Sequence, residues 1–590
     1  MYGNLIRPRK TALPHKDTPK SLLLSLLFKF SLVLAASLLY AFAFPNPLLP
    51  NGFAPAAFAA YLPLFFLICI SNLREASFFG LVYGALSNSL FSYWLSAFHP
   101  LALPLVVCVK AFYNALFFAV LCGAGRLCKH NAALVQTLLW VGFEYLQSLG
   151  YLGYTYGFAG YSQWNNILLL QTASITGVWG ISALVIFPQA WLVGCRLPVA
   201  GCRLPVCPDI PDKNLPTTHY SLPTTHYPLP TTHYPLPTTH YSLLTKTNLC
   251  AAIAYLLLLA VCLARGAFFR GEYASLPHKQ IALVQQNDNP WKSSVADFRA
   301  TLGTLLKLSD EALTEDGGNV PALVVWPETA FVPTIDWHIR YRTDPAYYEL
   351  VKELTGYLAK NGFPFLIGND DGRRDESAEG LVRVDYNAAV LFEQGEITGV
   401  YHKQRLVPFA EHFPYKKFFP RFYAFLQKAG FSFWEAGKEP KVFEAGGFRF
   451  SPLICFEDGF GYLARERTRM GAQVLVNMTN DSWGRSLPCQ MQHLAMSVFR
   501  AVENRRSVVR AAASGQTCAI APDGRIIKMA APFTAAALSA AVPLTEAKTF
   551  YTKYGDWFPV LCLIIAAAAL IAPFLAPFTA RVKARIFRTL

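Results

Sequence analysis

Eight apolar stretches constrain this chain more than any other feature. They run over 21–44, 54–71, 75–98, 103–127, 131–149, 166–194, 247–266 and 557–577. A helix needs about 20 mostly apolar residues to cross the hydrocarbon of a bilayer. A lipid-exposed segment satisfies its own backbone polar groups only as a helix or in a closed barrel. The pattern therefore predicts a multi-pass α-helical membrane bundle of about eight spans. The first stretch has a second reading as a cleaved signal peptide, because it carries a basic front, an apolar middle and Ala41-Phe42-Ala43. Composition agrees with a membrane protein: 53% of residues are hydrophobic and 15% charged, where soluble domains carry about 25% charged residues.

Loop charge orients the bundle, because Lys and Arg accumulate on the cytoplasmic side. The N-terminal 1–20 segment carries Arg7, Arg9, Lys10, Lys16 and Lys20. Alternate gaps carry Arg74, then Arg126 and Lys129, then Arg196, Arg203 and Lys213, and the 578–590 tail carries Arg581, Lys583, Arg585 and Arg588. The remaining gaps before the large polar segment, at 45–53, 99–100 and 150–165, contain neither Lys nor Arg. This alternation places both ends inside and residues 267–556 outside. Arg265 and Arg270, at the outer end of the seventh span, run against it, as long translocated domains tolerate. The domains expected are then a seven-span bundle at 21–266, an outer domain at 267–556 and a last span at 557–577.

Lys110 and Glu144 fall within spans four and five. Ionisable groups at such depth face the bundle interior, either as a structural pair or as contacts to a lipid headgroup. Between spans six and seven, at 195–246, Leu-Pro-Thr-Thr-His-Tyr recurs every seven residues and spaces His219, His226, His233 and His240 evenly. Evenly spaced histidines are one signature of metal binding. A proline in every unit excludes a helix or central strand, and a tolerant, duplicated cytoplasmic loop is the simpler reading. The formal charge of +15 sits largely at the termini and in the short loops. No basic stripe interleaved with aromatics accompanies it, so nucleic-acid binding is not expected. Of 13 cysteines, the outer segment holds Cys455, Cys489 and Cys518, too few for a disulfide framework.

From Lys279 onward the texture changes. Short buried strands are expected at 281–285, 322–326, 365–368, 387–393, 396–401, 446–455, 473–477, 507–512 and 517–521. Helical stretches are expected at 295–312 and 347–360, and Gln394-Gly395 signals a hairpin. Alternating strands and helices predict an α/β sandwich. Three polar residues stand at strand ends: Glu328 after Val324-Val325-Trp326-Pro327, Lys403 after Tyr401 and Cys455 after Ile454. A thiol becomes a strong nucleophile once a base removes its proton, which Glu328 can do. Lys403 can favour the thiolate and stabilise the oxyanion of a tetrahedral intermediate. This chemistry uses a thioester intermediate, with no metal and no cofactor. Each residue also has an ordinary reading, as a small buried thiol, a solvated lysine and a capping glutamate.

Four motifs favour the chemical reading. Val325-Trp326-Pro327-Glu328-Thr329, the run from His402-Lys403 to Glu411, Ile454-Cys455-Phe456-Glu457 and the run from Val476-Asn477 to Trp483-Gly484 occur in order. Together they resemble the nitrilase (carbon–nitrogen hydrolase) superfamily. The membrane frame resembles the bacterial apolipoprotein N-acyltransferase family, as do Gly160-Tyr161-Ser162-Gln163 and the block from Gln492-His493 to Arg510. The resemblance implies an outer, nitrilase-like αββα sandwich in the bacterial inner membrane, facing the periplasm. It implies a ping-pong transfer in which Cys455 takes an acyl chain from a phospholipid donor. The chain then passes to the α-amine of a diacylglyceryl-modified lipoprotein acceptor. Glu328 would be the base and Lys403 the oxyanion partner, with Glu411 supporting Lys403 and the amine. Glu457 would sit beside the nucleophile, and Trp291 would lie on a substrate-contacting arm. Two departures concern substrate preference: Phe456 stands where the family usually has Tyr, and Trp483 runs directly into Gly484. The aromatic run Phe413, Phe418, Phe419, Phe422, Tyr423 and Phe425 is expected to form a mobile lid that governs lipid entry, with a membrane-resting flap or core packing as the simpler alternatives. The enzyme is expected to act as a monomer. A membrane-tethered amidase that uses water as the acceptor is the alternative.

Overall fold

The computed structural model describes residues 19–128, 131–194, 246–269, 271, 273–291, 293–314, 320–374, 383–416, 418–428 and 433–589. The histidine repeat, the basic residues before position 19, and Lys129, Arg196, Arg203, Lys213 and Arg270 lie outside them.

Helices Pro19–Ala43, Leu73–Phe91, Ala102–Leu127, Ala132–Ser148, Val178–Gly194, Lys246–Phe268 and Trp557–Thr589 form the apolar part. Among the described residues, four helices are long and apolar enough to cross a bilayer: Lys20–Ala43, Ala102–Leu127, Leu249–Phe268 and Trp557–Leu575. A fifth arises if Ile167–Thr176 and Val178–Gly194, bent by 117°, count as one span. The expectation of eight spans is thus met only in part, for local reasons. The 54–71 stretch breaks into a 3-10 turn and the short helices Ala57–Ala60 and Leu62–Ile70, with Pro63 in the first turn of the last. The 166–194 stretch breaks at Gly177, whose φ of 67° ends one helix before the next begins. The 75–98 stretch leaves the α-helix at Phe91 and continues as a 3-10 turn over Tyr93–Ala97. Hydropathy counts apolar residues and does not register such breaks. Lys110 and Glu144 are both buried and line one cavity inside the bundle. Lys110 Nζ donates to Gln147 Oε1 at 2.6 Å and lies over the Tyr154 ring, while Glu144 Oε1 accepts from Ala159 N at 2.8 Å.

The polar part is a sandwich of two six-stranded sheets. The strands are β1 (His278–Gln285), β2 (Leu323–Val325), β3 (Phe365–Arg374), β4 (Arg383–Glu393), β5 (Glu396–His402), β6 (Phe443–Ala445), β7 (Phe448–Ile454), β8 (Val474–Thr479), β9 (Ser507–Ala512), β10 (Cys518–Ile520), β11 (Ile526–Met529) and β12 (Ala536–Pro543). One sheet has the order β12-β1-β2-β3-β4-β5 and the other β11-β10-β9-β8-β7-β6. The pairs β1–β2, β2–β3, β7–β8 and β8–β9 are parallel. Parallel strands are covered on both faces, and β2, β8 and β9 are buried throughout. The expected hairpin joins β4 to β5 through Gln394 (φ 53°) and Gly395 (φ 85°), a two-residue turn that needs positive φ at both positions.

Ile281, Leu283, Val325 and Leu366 of the first sheet pack on Phe450, Val474, Val476 and Val509 of the second. Helices Val295–Thr314 and Pro345–Asn361 cover the outer face of the first sheet. Helix Leu487–Asn504 covers the second, and every residue from Pro488 to Asn504 is buried. Its other side meets the bundle: Leu494, Val498 and Phe499 share one apolar cluster with Phe158, Tyr161, Trp179 and Leu170. Polar contacts fasten the same seam. Trp94 Nε1 donates to Gln492 Oε1 at 3.0 Å, Gln492 Nε2 donates to Pro45 O at 3.0 Å, and Gln171 Nε2 donates to Asp523 O at 2.7 Å.

Candidate active site

The three strand ends meet where the two sheets face each other. β2 delivers Glu328 through a tight turn, and β3 must pass close behind it. A Cβ on Gly368 would lie 2.1 Å from Pro327 O and 2.7 Å from Glu328 Cα, so only glycine lets the two backbones approach. The Glu328 carboxylate is held on both oxygens. Oε1 accepts from Asn387 Nδ2 at 2.8 Å and from Lys403 Nζ at 3.0 Å, and Oε2 accepts from the Asn480 backbone N–H at 3.0 Å.

Lys403 leaves β5 with its backbone N–H on Asn387 O at 2.8 Å. Its side chain is fully buried, and its ammonium bridges Glu328 and Glu411, the latter at 2.8 Å. Burial alone would discharge it, but the two carboxylates outweigh burial and hold its pKa well above the usual lysine range. Glu411 is fixed in turn by Val407 N at 3.0 Å. Burial pushes the Glu411 carboxyl up, against the pull of Lys403.

Cys455 begins a 3-10 turn directly after β7 with φ at 52°. The left-handed region costs a non-glycine residue about 1–3 kcal/mol and persists only where the surroundings impose it. Asn477 Nδ2 donates to the Cys455 carbonyl at 2.9 Å. The thiol sits well above its usual pKa, first through burial and then through the negative charge of Glu328, with Lys403 opposing. The resting group is therefore a neutral thiol within the field of a carboxylate able to take its proton.

The supporting residues divide. Glu457 follows Cys455 closely in sequence, but its carboxylate is turned into a structural staple. It accepts from Ile454 N, Gln404 N and Tyr401 OH, each at 2.8 Å, and from Arg405 N at 3.0 Å. It thereby sews the Cys455 turn to the loop after Lys403. Phe456 is buried, edge-on to Phe460 at 5.1 Å. Trp291 is 60% exposed, with its ring edge-on to Trp483 at 4.8 Å. Phe413 is buried, whereas Phe418, Phe419, Phe422 and Phe425 on and before helix Pro420–Lys428 are exposed, Phe418 by 80%. The outer segment of the bundle reaches this region: Tyr151 OH donates to His412 O at 2.6 Å and accepts from Phe409 N at 3.2 Å, on either side of Glu411.

Residue-by-residue reading of the sequence did not single out Asn387, which holds Glu328, or the buried Asp458, and it met Asn477, Asn480 and Asp481 only inside the family-like run from Val476 to Gly484. The His493 to Arg510 stretch carried a signal only as part of a family-like block.

Residues 280–551 match the family model described as carbon-nitrogen hydrolase, and residues 36–191 match the apolipoprotein N-acyltransferase N-terminal domain. Apolipoprotein N-acyltransferase 1 of Treponema pallidum (strain Nichols) is 44% identical over 563 residues, covering 93% of this chain and 96% of the relative. Its namesake in Treponema denticola is 38% identical over 91% of this chain and 95% of the relative. Apolipoprotein N-acyltransferase of Geobacter metallireducens is 29% identical over 97% of each. A chain that carries both domain matches and this identity across nearly its whole length belongs to the apolipoprotein N-acyltransferase family.

Proposed function

We propose that this enzyme transfers an acyl chain from a membrane phospholipid, through a thioester on Cys455, to the N-terminal α-amine of lipid-modified apolipoproteins. The observation that carries the reading is the buried Glu328–Lys403–Glu411 triad around a strained cysteine turn, built on the seam with an apolar bundle. Glu328 takes the thiol proton as sulfur attacks the ester carbonyl of the donor. Lys403 stabilises the resulting oxyanion, and collapse expels the lysophospholipid alkoxide, which takes the proton from Glu328. The acceptor amine then attacks the thioester, Glu328 receives its proton, and the thiolate leaves and is reprotonated. Glu411 keeps Lys403 charged and oriented throughout.

The reading includes a topology. Residues 1–20 and 578–590 lie in the cytoplasm, 21–266 contribute seven spans with the repeat at 195–246 inside, and 557–577 cross last. The catalytic domain at 267–556 faces the periplasm from the inner membrane. Loop charge supports this orientation. The exposed aromatics of helix Pro420–Lys428 rest on the outer leaflet as a lid.

Mass spectrometry of the purified enzyme after incubation with phospholipid vesicles tests the chemistry. A hydroxylamine-labile acyl mass on the Cys455 peptide is expected, and it is absent in Cys455→Ser. If no phospholipid leaves such an adduct on the wild type, the donor assignment fails and water-dependent amide hydrolysis takes its place.

A further inference from the structure

Below the nucleophile turn lies an ionic cluster that the acyl transfer steps do not use. Asp458, Asp481, His493 and Arg510 are all buried and come from four elements: the turns Cys455–Gly459 and Asp481–Gly484, helix Leu487–Asn504 and β9. His493 sits at the centre. Its Nε2 is 2.9 Å from Asp458 Oδ1 and 3.3 Å from the Cys455 carbonyl oxygen, and its Nδ1 is 2.9 Å from Asp481 Oδ1.

A carboxylate opposite each ring nitrogen calls for an N–H on both, which makes the ring an imidazolium. Neither aspartate is free to carry the proton instead. Asp458 also accepts from Ser497 Oγ and, at 3.0 Å, from Arg510. Asp481 also accepts from Thr479 Oγ1 at 3.0 Å and Arg510 at 2.8 Å. Two cations and two anions cancel, as burial at this depth demands. The other groups facing the ring are Arg510 Nη2, 3.3 Å from Nδ1, and the Tyr156 ring of the bundle, 6.3 Å away. Burial and Arg510 oppose the positive charge, but the two carboxylates outweigh them and lift the His493 pKa to about 9.

The ring joins the two halves of the catalytic pair. On one side it holds the turn that carries Cys455. On the other it holds Asp481, the neighbour of Asn480, whose backbone N–H anchors Glu328 Oε2. We propose that His493 is a positioning residue that sets the approach of Glu328 to Cys455, by clamping the nucleophile turn and the Asn480–Asp481 loop onto one helix. The proposal rests on the reading of Glu328 as base and Cys455 as nucleophile.

The test follows alkylation of Cys455 by iodoacetamide, read on its peptide by mass spectrometry, in the full-length enzyme in dodecyl maltoside micelles, after hydroxylamine has cleared any acyl group. This reaction needs no acyl donor, so its outcome is independent of the donor assignment. His493→Gln and Asp481→Asn are each expected to slow alkylation near neutral pH by about tenfold to a hundredfold. The double variant is expected to be no slower than the slower single one, because both break one clamp. In Asp481→Asn the ring keeps one carboxylate and loses its proton at lower pH, so the defect relative to wild type deepens from about pH 6 to about pH 8. Where His493→Gln fails to assemble, Asp481→Asn carries the test alone. Wild-type alkylation in a folded variant overturns the proposal, as does a defect that is constant with pH or multiplies in the double variant.

Discussion

At the residue scale, the site is governed by one lysine between two glutamates. Burial raises the pKa of the thiol first, and the negative charge of Glu328 adds to it against the pull of Lys403. Cys455 therefore does not stand ready as a thiolate, and in the proposed mechanism proton removal by Glu328 belongs to the attack itself. Lys403→Met is expected to slow thioester formation by about 10²–10³, the usual loss on removing one oxyanion donor. It is also expected to cost about 3–5 kcal/mol of stability, because Glu328 and Glu411 lose their buried counter-ion. Quenched-flow mass spectrometry and thermal unfolding read the two effects separately, and an unchanged thioester rate in the folded variant removes Lys403 from the oxyanion role. Glu328, Lys403 and Cys455 stood out because each follows the end of a strand within one of the ordered motifs; singly, each had an ordinary structural reading. His493 was not legible in the same way. In sequence it is one polar residue on a helix, and its partners Asp458, Asp481 and Arg510 come from three other elements that only the fold brings together.

At the scale of elements, strands declared themselves better than spans did. β2 is a continuous apolar run, β1, β7, β8 and β9 carry short apolar runs broken by polar residues, and the burial of these runs follows directly. The bundle helices are equally apolar, but the breaks at Pro63 and Gly177 are local backbone events that a hydropathy window averages away. Helix Pro420–Lys428 is the opposite case, short and with its aromatics turned outward. Burying one phenylalanine side chain contributes about 1.5–3 kcal/mol. Replacing Phe418, Phe419, Phe422 and Phe425 together with Ser is expected to raise the apparent KM for phospholipid at least about tenfold. Alkylation of Cys455 by iodoacetamide should remain within about twofold of wild type, because no part of the charged triad is touched. A KM unchanged in vesicles sinks the lid assignment.

At the scale of the whole molecule, the bundle and the sandwich are not two bodies joined by a linker. One apolar cluster runs from Val33 and Phe65 through Tyr161 and Trp179 into Phe456, Leu494 and Val502. Helix Leu487–Asn504 has no solvent face left. The sandwich expressed alone, residues 267–556, is expected to aggregate or to remain partly unfolded, because this helix would then expose Leu494, Val498 and Phe499 to water. Size-exclusion chromatography and circular dichroism of that fragment check it, and a monodisperse, cooperatively unfolding product would show that the seam is dispensable.

The neutral resting thiol of Cys455 has a consequence for survival in the compartment it is proposed to face. Peroxides and stray disulfides react with thiolates, and exposed low-pKa cysteines climb the oxidation ladder to sulfinic and sulfonic acids from which few return. In the proposed mechanism Cys455 keeps its proton until Glu328 removes it over a bound ester, and so offers little to such oxidants. Burial and the charge pattern that slow spontaneous ionisation would thus give the enzyme a chemically quiet sulfur in the oxidising space it is proposed to face.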